Sequence, residues 1–255
     1  MTAEIFDRGY RRYVGQRTGL QGAARTLVTH SIQRSLGLHR SARHKIIPFT
    51  LIAFAFVPAT IFLGIAAFLP AAAEADAIPN YSDYYGLVAS MLFLFISFVA
   101  PDLLCNDRRT GMLGVYLASP LNRSTYLLAK TAAVVTLMLI ITLLPNLLFF
   151  AALSLQGFGP GGVFAVLKVL GQIVLSAVVI AAFFTAVGMA VSATTDRKGT
   201  ATAATLGTFV GSAAIAGLLV DGLGYSPHLR LINLIATPMQ LAPRIFGETS
   251  PDARP

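Results

Sequence analysis

The chain has 255 residues, of which 55% are apolar and only 12% are charged. A soluble domain cannot bury that much apolar surface, so the composition excludes an ordinary soluble protein and indicates a membrane protein. The formal net charge of +8 is compatible with nucleic-acid binding, but most basic residues lie in the N-terminal segment and in short segments between apolar stretches. That distribution is typical of a membrane topology signal. We therefore expect the lipid bilayer, and not nucleic acid, as a partner.

Residues 1–47 form a basic N-terminal segment that contains nine of the 19 Lys and Arg residues. Apolar residues recur there at helical spacing, which predicts an amphipathic helix with Leu27 and Ile32 on its apolar face and Arg34 on its polar face. A basic amphipathic helix of this kind is expected to lie in the plane of the membrane surface. Two roles stay open for it: a lipid-facing anchor, or an anchor that also offers a docking face to a cytoplasmic partner.

Long apolar segments follow, and each is long enough for a helix to cross the hydrocarbon core, which takes ~20 residues. They predict an all-α fold, a polytopic helical membrane protein whose transmembrane domain covers residues 48–220. The five predicted spans lie at about 48–69, 84–104, 126–153, 163–191 and 200–220.

Basic residues alternate from one connection between spans to the next. The connections 105–125 and 192–199 contain Lys or Arg, whereas 70–84 and 154–162 contain neither. The positive-inside rule therefore predicts that the basic connections and the N-terminus lie in the cytoplasm. An Arg-rich N-terminus is also typical of mitochondrial transit peptides, but the acidic residues among the first ten argue against one. The Ala-, Gly- and Arg-rich composition favours a bacterial protein, and hence the inner (cell) membrane.

Motifs for catalysis and metal binding are missing from the sequence. It contains no GxxxxGK[ST] phosphate loop, no HExxH, no GxSxG and no cluster of Cys and His, so we expect no catalytic residue, metal or cofactor in this chain. Lys130 and Lys168 lie near the ends of spans, where their long side chains can reach the membrane surface, and Asp102 lies close to water. The spans thus lack an ion-coupling residue in mid-membrane, which argues against an ion-coupled carrier or a membrane enzyme.

The last predicted span carries small residues four positions apart, at Ala203, Gly207 and Gly211. A ridge of small residues allows two helices to approach closely. It predicts helix packing, either within the bundle or between protomers.

The connection "DRRTGMLGVYLASPLNR" (107–123) has charged ends and an apolar middle. Thr110–Ala118 can form about two helical turns, and Ser119 followed by Pro120 is a favourable start for the next helix. The sequence therefore predicts a short helix that lies across the cytoplasmic mouth of the bundle. Its apolar patch is predicted to consist of Met112, Leu113, Tyr116 and Leu117.

The longer stretch "DRRTGMLGVYLASPLNRSTYLLAK" (107–130) resembles the membrane-spanning subunits of type-2 ABC exporters. In that family an acidic residue, a Gly-Thr-Leu-Glu-like stretch, a Ser/Thr-Pro and an Arg precede a Gly/Ala-Lys at the start of the third span. Met112 stands where Thr is usual in the family, and Gly114 where Glu is. The residues that match the family pattern are Asp107, Gly111, Leu113, Ser119, Pro120, Arg123 and Lys130.

The resemblance implies that the short helix is a coupling helix, which inserts into a cleft of a separate ATP-binding subunit and carries nucleotide-driven motion to the spans. It also implies export by a dimer, formed with a second copy or a related permease subunit. ATP and magnesium would bind to the partner subunit and not to this chain. The residues predicted to couple the chain to the ATPase are Asp107, Arg108, Gly111, Met112, Leu113, Tyr116, Leu117, Pro120 and Arg123.

Residues 221–255 do not contain a sixth predicted span, although the family normally has six. The segment "LINLIATPMQLAP" (231–243) is short and contains two prolines, so we expect an extracytoplasmic interfacial or re-entrant element, followed by a disordered tail that ends in "SPDARP". Either the chain lacks the sixth span or the sequence stops before it. The absent span favours an alternative function, a non-transporting accessory or assembly subunit of a transport complex.

Overall fold

The computed structural model describes residues 19–38, 43–68, 78–118 and 120–248. Over these ranges the chain forms helices and turns and contains no strand. Nine α-helices, a π-helical turn and a 3-10 helix follow one another in this described part. They are α1 (Gly19–Ser35), α2 (Arg43–Phe68), α3 (Tyr84–Arg109), α4 (Met112–Leu117), α5 (Arg123–Leu155), α6 (Val163–Ser192), α7 (Lys198–Gly217), the π-helical turn Leu218–Gly222, the 3-10 helix Pro227–Ile232, α8 (Ala236–Met239) and α9 (Leu241–Phe246).

Five helices of the described chain are long and apolar enough to cross a membrane: α2, α3, α5, α6 and α7. The predicted all-α, polytopic membrane fold with five spans is therefore confirmed. Two of these helices extend beyond the apolar segments that predicted them: α3 continues to Arg109, and α5 begins at Arg123. We call the end of the bundle where α3 ends and α5 begins the basic side. It carries Arg108, Arg109, Arg123, Arg197 and Lys198.

Helix α3 lies at the centre of the bundle and packs against all four other spanning helices. Its buried face combines with buried residues of α2, α5, α6 and α7 in one large hydrophobic cluster. The approach of α3 to α6 is close at Gly188, where a Cβ atom would collide with the side chain of Ile96. Gly188 therefore sets the distance between these two helices, as small residues do in membrane helix pairs.

Helix α5 starts three residues later than the sequence predicted. Asn122 is its N-cap and has an extended backbone, and its N–H donates to Thr125 Oγ1 at 2.8 Å. Pro120 lies in a turn before the helix, and Ser119 is outside the described residues. The predicted start at Pro120 is wrong because Leu121, only 4% exposed, inserts between α1 and α5. The chain must pass through an extended conformation there before it can turn into the helix.

Helix α1 packs along α5 and touches α3. Leu27 belongs to a second, smaller hydrophobic cluster with Leu121, Tyr126 and Ala129, and Ile32 packs against the large cluster. The apolar face of α1 thus covers other helices of this chain, and does not rest on lipid alone. His30 is exposed, as expected for the polar face, but Arg34 is not, as described below.

Helix α7 turns Ala201, Thr205 and Phe209 towards the bundle. Ala203 and Gly207 are exposed, and a Cβ atom at Gly207 or Gly211 would meet no atom within 4 Å. The small-residue ridge therefore does not pack against other residues that the structure describes. Packing between protomers stays a prediction.

The segment after α7 folds back over the side of the bundle opposite to the basic side. Ser212 Oγ accepts from the Leu234 N–H at 3.1 Å, and Gln172 Nε2 donates to the Ile245 carbonyl at 2.9 Å. Met239 and Phe246 pack against the large hydrophobic cluster. The segment therefore caps the bundle with short helical pieces, none long enough to span. Residues 249–255, where the disordered tail was predicted, lie outside the described residues.

Candidate coupling junction at the basic side

Asp107 lies in the last turn of α3 and its side chain is completely buried. Its Oδ1 accepts from Arg34 Nη1 of α1 at 2.7 Å. Its Oδ2 pairs with Lys130 Nζ of α5 at 2.6 Å and accepts from the Tyr126 hydroxyl at 3.0 Å. One carboxylate thus ties three helices together. We call Asp107, Arg34, Lys130 and Tyr126 the Asp107 cluster.

The cluster corrects two predictions about charged residues. Lys130 does not extend to the membrane surface, because its side chain is 0% exposed. Arg34 does not lie on a solvated polar face, because it points at Asp107 and is only 11% exposed. Removing charges from water is costly unless they are paired, and here two cations share one acid. The whole arrangement therefore depends on Asp107.

Helix α4 contacts the cluster through an aromatic ring. Lys130 Nζ lies 5.6 Å from the centroid of the Tyr116 ring and 5.7 Å from that of Tyr126, within the ~6 Å range of a cation–π interaction. The two rings are themselves 5.8 Å apart. Burial raises the pKa of the Tyr116 phenol, so the ring stays neutral. A movement of α4 would therefore change its contact with Lys130 of α5 and, through Lys130, the contact with Asp107 of α3.

Gly111 sets the direction in which α4 leaves α3. Its φ of 70° is in the left-handed region, which glycine adopts without the steric cost that a side chain brings. Thr110 ends α3, with its N–H bonded to Asn106 and its hydroxyl donating to the same carbonyl at 2.7 Å. The chain thus leaves α3 at Thr110 and enters α4 at Met112, on the basic side of the bundle.

The apolar residues of α4 are divided between two faces of the helix and do not form the single patch that the sequence predicted. Leu113 and Tyr116 point inward and pack against the second hydrophobic cluster, and Leu117 is half-buried. Met112 is 38% exposed and Val115 is 63% exposed. The prediction of one continuous four-residue patch is therefore wrong. Met112 and Val115, three positions apart on one face, form the apolar surface that a partner can reach.

Two further predicted coupling residues, Arg108 and Arg123, lie apart from the Asp107 cluster. Arg108 Nη1 donates to the Ala193 carbonyl at 2.7 Å and is 3.5 Å from Asp196 Oδ1, so it joins α3 to the connection between α6 and α7. Arg123 is exposed at the start of α5, and Pro120 is exposed in the turn before it. A further link, which the sequence did not indicate, joins α3 to α7 itself through the ion pair of Asp102 with Lys198 at 2.6 Å.

The described residues include no group of three His, Cys, Asp or Glu side chains that could hold a metal ion. Cys105 is buried, and its thiol lies 3.3 Å from the Thr195 carbonyl. The described residues of the basic side include a short helix with one exposed apolar face, and a buried ionic junction that connects this helix to three others.

A protein-family comparison agrees with the sequence resemblance. The family model described as "ABC-2 family transporter protein" matches residues 70–242. The matched part contains the five helices α3 to α7 and residues 218–242 of the segment that follows. No curated protein and no solved structure matches the chain.

Proposed function

Since the chain belongs to the ABC-2 transporter family and is a multi-pass membrane permease component of an ABC transporter, we propose that it forms the substrate pathway of an ATP-driven exporter. Permeases of this family are not themselves the ATPase. ATP and magnesium would therefore be bound by a separate subunit. The energy of transport would reach the spans only through contacts between that subunit and this chain.

The distribution of charge supports an orientation with the basic side in the cytoplasm. On that side Arg108, Arg109 and Arg123 lie at the ends of α3 and α5, and Arg197 lies in the connection between α6 and α7, whereas the connection between α5 and α6, residues 156–162, carries no charge. Short loops rich in Lys and Arg are retained in the cytoplasm. The N-terminal helix α1 would then lie at the cytoplasmic surface of a bacterial inner membrane.

The observation that carries the proposal is the Asp107 cluster. In our proposal the ATP-binding subunit docks on α4, against Met112 and Val115, and α1 borders the docking surface. Movement of α4 is passed through Tyr116 to Lys130 and Asp107, and from there to α5 and α3. Ligand-driven switching requires that a partner bind two states of the bundle with different affinity, and the buried junction is the contact through which we propose that such a difference reaches the spans.

The exposed ridge of α7 supports a dimer. Helices α2 and α7 are the least buried of the five spans, and Gly207 and Gly211 are open to the outside of the chain. Small residues on an exposed face of a membrane helix permit close contact with another helix. We propose that a second copy, or a related permease subunit, packs on this side and that the pathway lies between the two bundles.

A pair of docking variants tests the proposal. Met112→Asp with Val115→Asp places two charges on the exposed face of α4 without touching the inward-facing Leu113. The matched control, Ser124→Asp with Thr194→Asp, adds the same charge at exposed positions elsewhere on the basic side. Each tagged chain is purified in mild detergent from its native membrane, and the co-purified proteins and ATP hydrolysis are measured.

The α4 variant is expected to lose the ATP-binding subunit and its hydrolysis, whereas the control retains both. Equal retention by both variants would refute docking on α4. A wild-type chain that purifies without any P-loop subunit would instead favour the accessory-subunit alternative.

A further inference from the structure

A second feature of the basic side lies away from α4 and the Asp107 cluster. It is a cavity of about 520 Å³ lined by Arg108, Arg109, Asp196, Arg197 and Lys198, which we call the basic cavity. Its volume is within the range of about 300–1,000 Å³ that small-molecule sites occupy. Four of the five lining residues are basic, so the cavity is strongly positive.

The neighbouring helix ends lead us to expect the basic cavity at the level of the lipid headgroups. It is bounded by the last residues of α3, which ends at Arg109, and by the first residue of α7, Lys198, and both helices are spans. Asp196 and Arg197 belong to the short connection that follows the end of α6 at Ser192. Since three spans begin or end here, the cavity opens where the hydrocarbon core gives way to phosphate groups.

Two of the four bases already have an acidic partner within the chain. Lys198 pairs with Asp102 at 2.6 Å, and Arg108 is held by the Ala193 carbonyl and by Asp196. Arg109 and Arg197 are exposed and have no ionic partner among the described residues. Their charges are the ones available to an external anion.

The start of α7 adds a second reason to expect an anion. The first turn of α7 contains no acidic residue, and its N-cap, Arg197, makes no side-chain capping bond. The unpaired N–H groups at a helix N-terminus favour a negative charge, yet Arg197 and Lys198 are positive. An anion in the basic cavity would satisfy both the helix terminus and the two uncompensated arginines.

We propose that the basic cavity binds the phosphate of an anionic phospholipid headgroup from the leaflet on the basic side, with Arg109 and Arg197 as its main contacts. A concave site at the ends of three spans suits a headgroup better than it suits a flat protein surface. The exposed apolar face of α4, by contrast, suits a protein partner. Binding would strengthen the junction of α3, α6 and α7, because Arg108 and Lys198 already connect these elements.

The test measures the affinity of the purified full-length chain, in neutral detergent and without any ATP-binding subunit, for fluorescent phosphatidylglycerol and phosphatidylcholine of the same acyl composition. The cavity variant is Arg109→Gln with Arg197→Gln. The control, Arg25→Gln with Arg123→Gln, removes the same charge from exposed positions outside the cavity. Inorganic phosphate is titrated separately.

Wild type is expected to prefer phosphatidylglycerol, and the cavity variant to bind it about 30-fold more weakly, since each base beside an anionic headgroup contributes on the order of fivefold. The control should stay within about twofold of wild type, because its residues lie outside the cavity. An equal loss in both variants, or no loss in either, would overturn the proposal.

Two other results would also overturn it. Inorganic phosphate that binds as tightly as phosphatidylglycerol would make the ligand a soluble phosphate. If the cavity variant keeps its lipid affinity but loses the ATP-binding subunit in the separate mild-detergent purification from the native membrane, the cavity would be a protein docking site. Because lipid binding is measured on this chain alone, its failure leaves the proposed transport function untouched.

Discussion

Lys130 Nζ lies 2.6 Å from Asp107 Oδ2, and both side chains are completely buried at the basic end of the bundle. The pair joins the last turn of α3 to the second turn of α5, and the short helix α4 is the connection between those two helices. Arg34 brings α1 to the same carboxylate. The Asp107 carboxylate therefore holds together α1, α3 and α5, the helices against which α4 packs.

Asp107→Asn is expected to destabilise the chain strongly. The substitution leaves Arg34 and Lys130 buried without a counter-charge, and breaking a buried pair in this way costs about 3–5 kcal/mol. Thermal unfolding in detergent measures the effect. The control is Asp196→Asn, which removes an acid that is 73% exposed from a 3.5 Å pair with Arg108 and should cost less than about 1 kcal/mol. Similar losses of unfolding free energy in the two variants would show that Asp107 stabilises the chain no more than an exposed acid does.

Replacing Gly111 should alter the direction of α4 and thereby impair coupling. Gly111→Ala forces a side chain into a left-handed conformation, at a cost of about 1–2 kcal/mol, although no atom lies within 4 Å of the added Cβ. Gly114→Ala is the matched control, because Gly114 lies inside α4 with equal free space and should gain about 0.5–1 kcal/mol.

Unfolding temperature and ATP hydrolysis of the co-purified complex are measured for both glycine variants. Reduced hydrolysis is expected for Gly111→Ala alone. A similar reduction for Gly114→Ala would indicate that the added methyl group, and not the turn at Gly111, is responsible.

The close approach of α3 and α6 predicts a steric cost at Gly188. Gly188→Ala should destabilise by about 1–3 kcal/mol, the usual cost of overpacking, because its Cβ would collide with Ile96. Ile96→Ala in the same chain should recover part of the loss, which a double-mutant cycle of unfolding free energies detects. Additive effects of the two substitutions would contradict the contact. Gly171→Ala, on an exposed part of α6 with free space around it, serves as the neutral control.

Two glycines with free space around them allow the orientation to be tested. Gly161 lies in the connection between α5 and α6, and Gly199 lies at the start of α7. In a Cys105→Ala background, Gly161→Cys should react with a membrane-impermeant maleimide on intact cells. Gly199→Cys should react only after permeabilisation. The opposite labelling pattern would invert the proposed topology.

The spans could be predicted from sequence because the cost of burying unpaired polar groups in lipid leaves few alternatives to long apolar helices. The Asp107 cluster could not, because its members are far apart in the chain: Arg34 precedes Asp107 by 73 residues. A helical projection of α1 alone places Arg34 on the polar side, and nothing local reveals that this side faces α3.

The orientation of α4 could not be predicted from the sequence for a similar reason. Met112, Leu113, Val115 and Tyr116 are all apolar or aromatic, so the sequence does not say which pair points inward. The contacts of Leu113 and Tyr116 with α1 and α5 decide it. One signal in the sequence was not used: Asp107 is an isolated acid among bases, and Lys130 follows it at the start of the next span, a pattern compatible with an ion pair across the connection.

The most direct test of the central claim is a photo-crosslink from α4. A photoreactive amino acid replaces Val115 on the exposed face, and a second variant carries it in place of Ser124, outside α4. Adducts formed in the native membrane are then identified by mass spectrometry. Our account predicts an adduct between position 115 and a P-loop ATP-binding subunit, with little or none from position 124. Adducts from position 115 with lipid only, or with other membrane proteins, would contradict the claim that α4 is the site where ATP hydrolysis is coupled to transport.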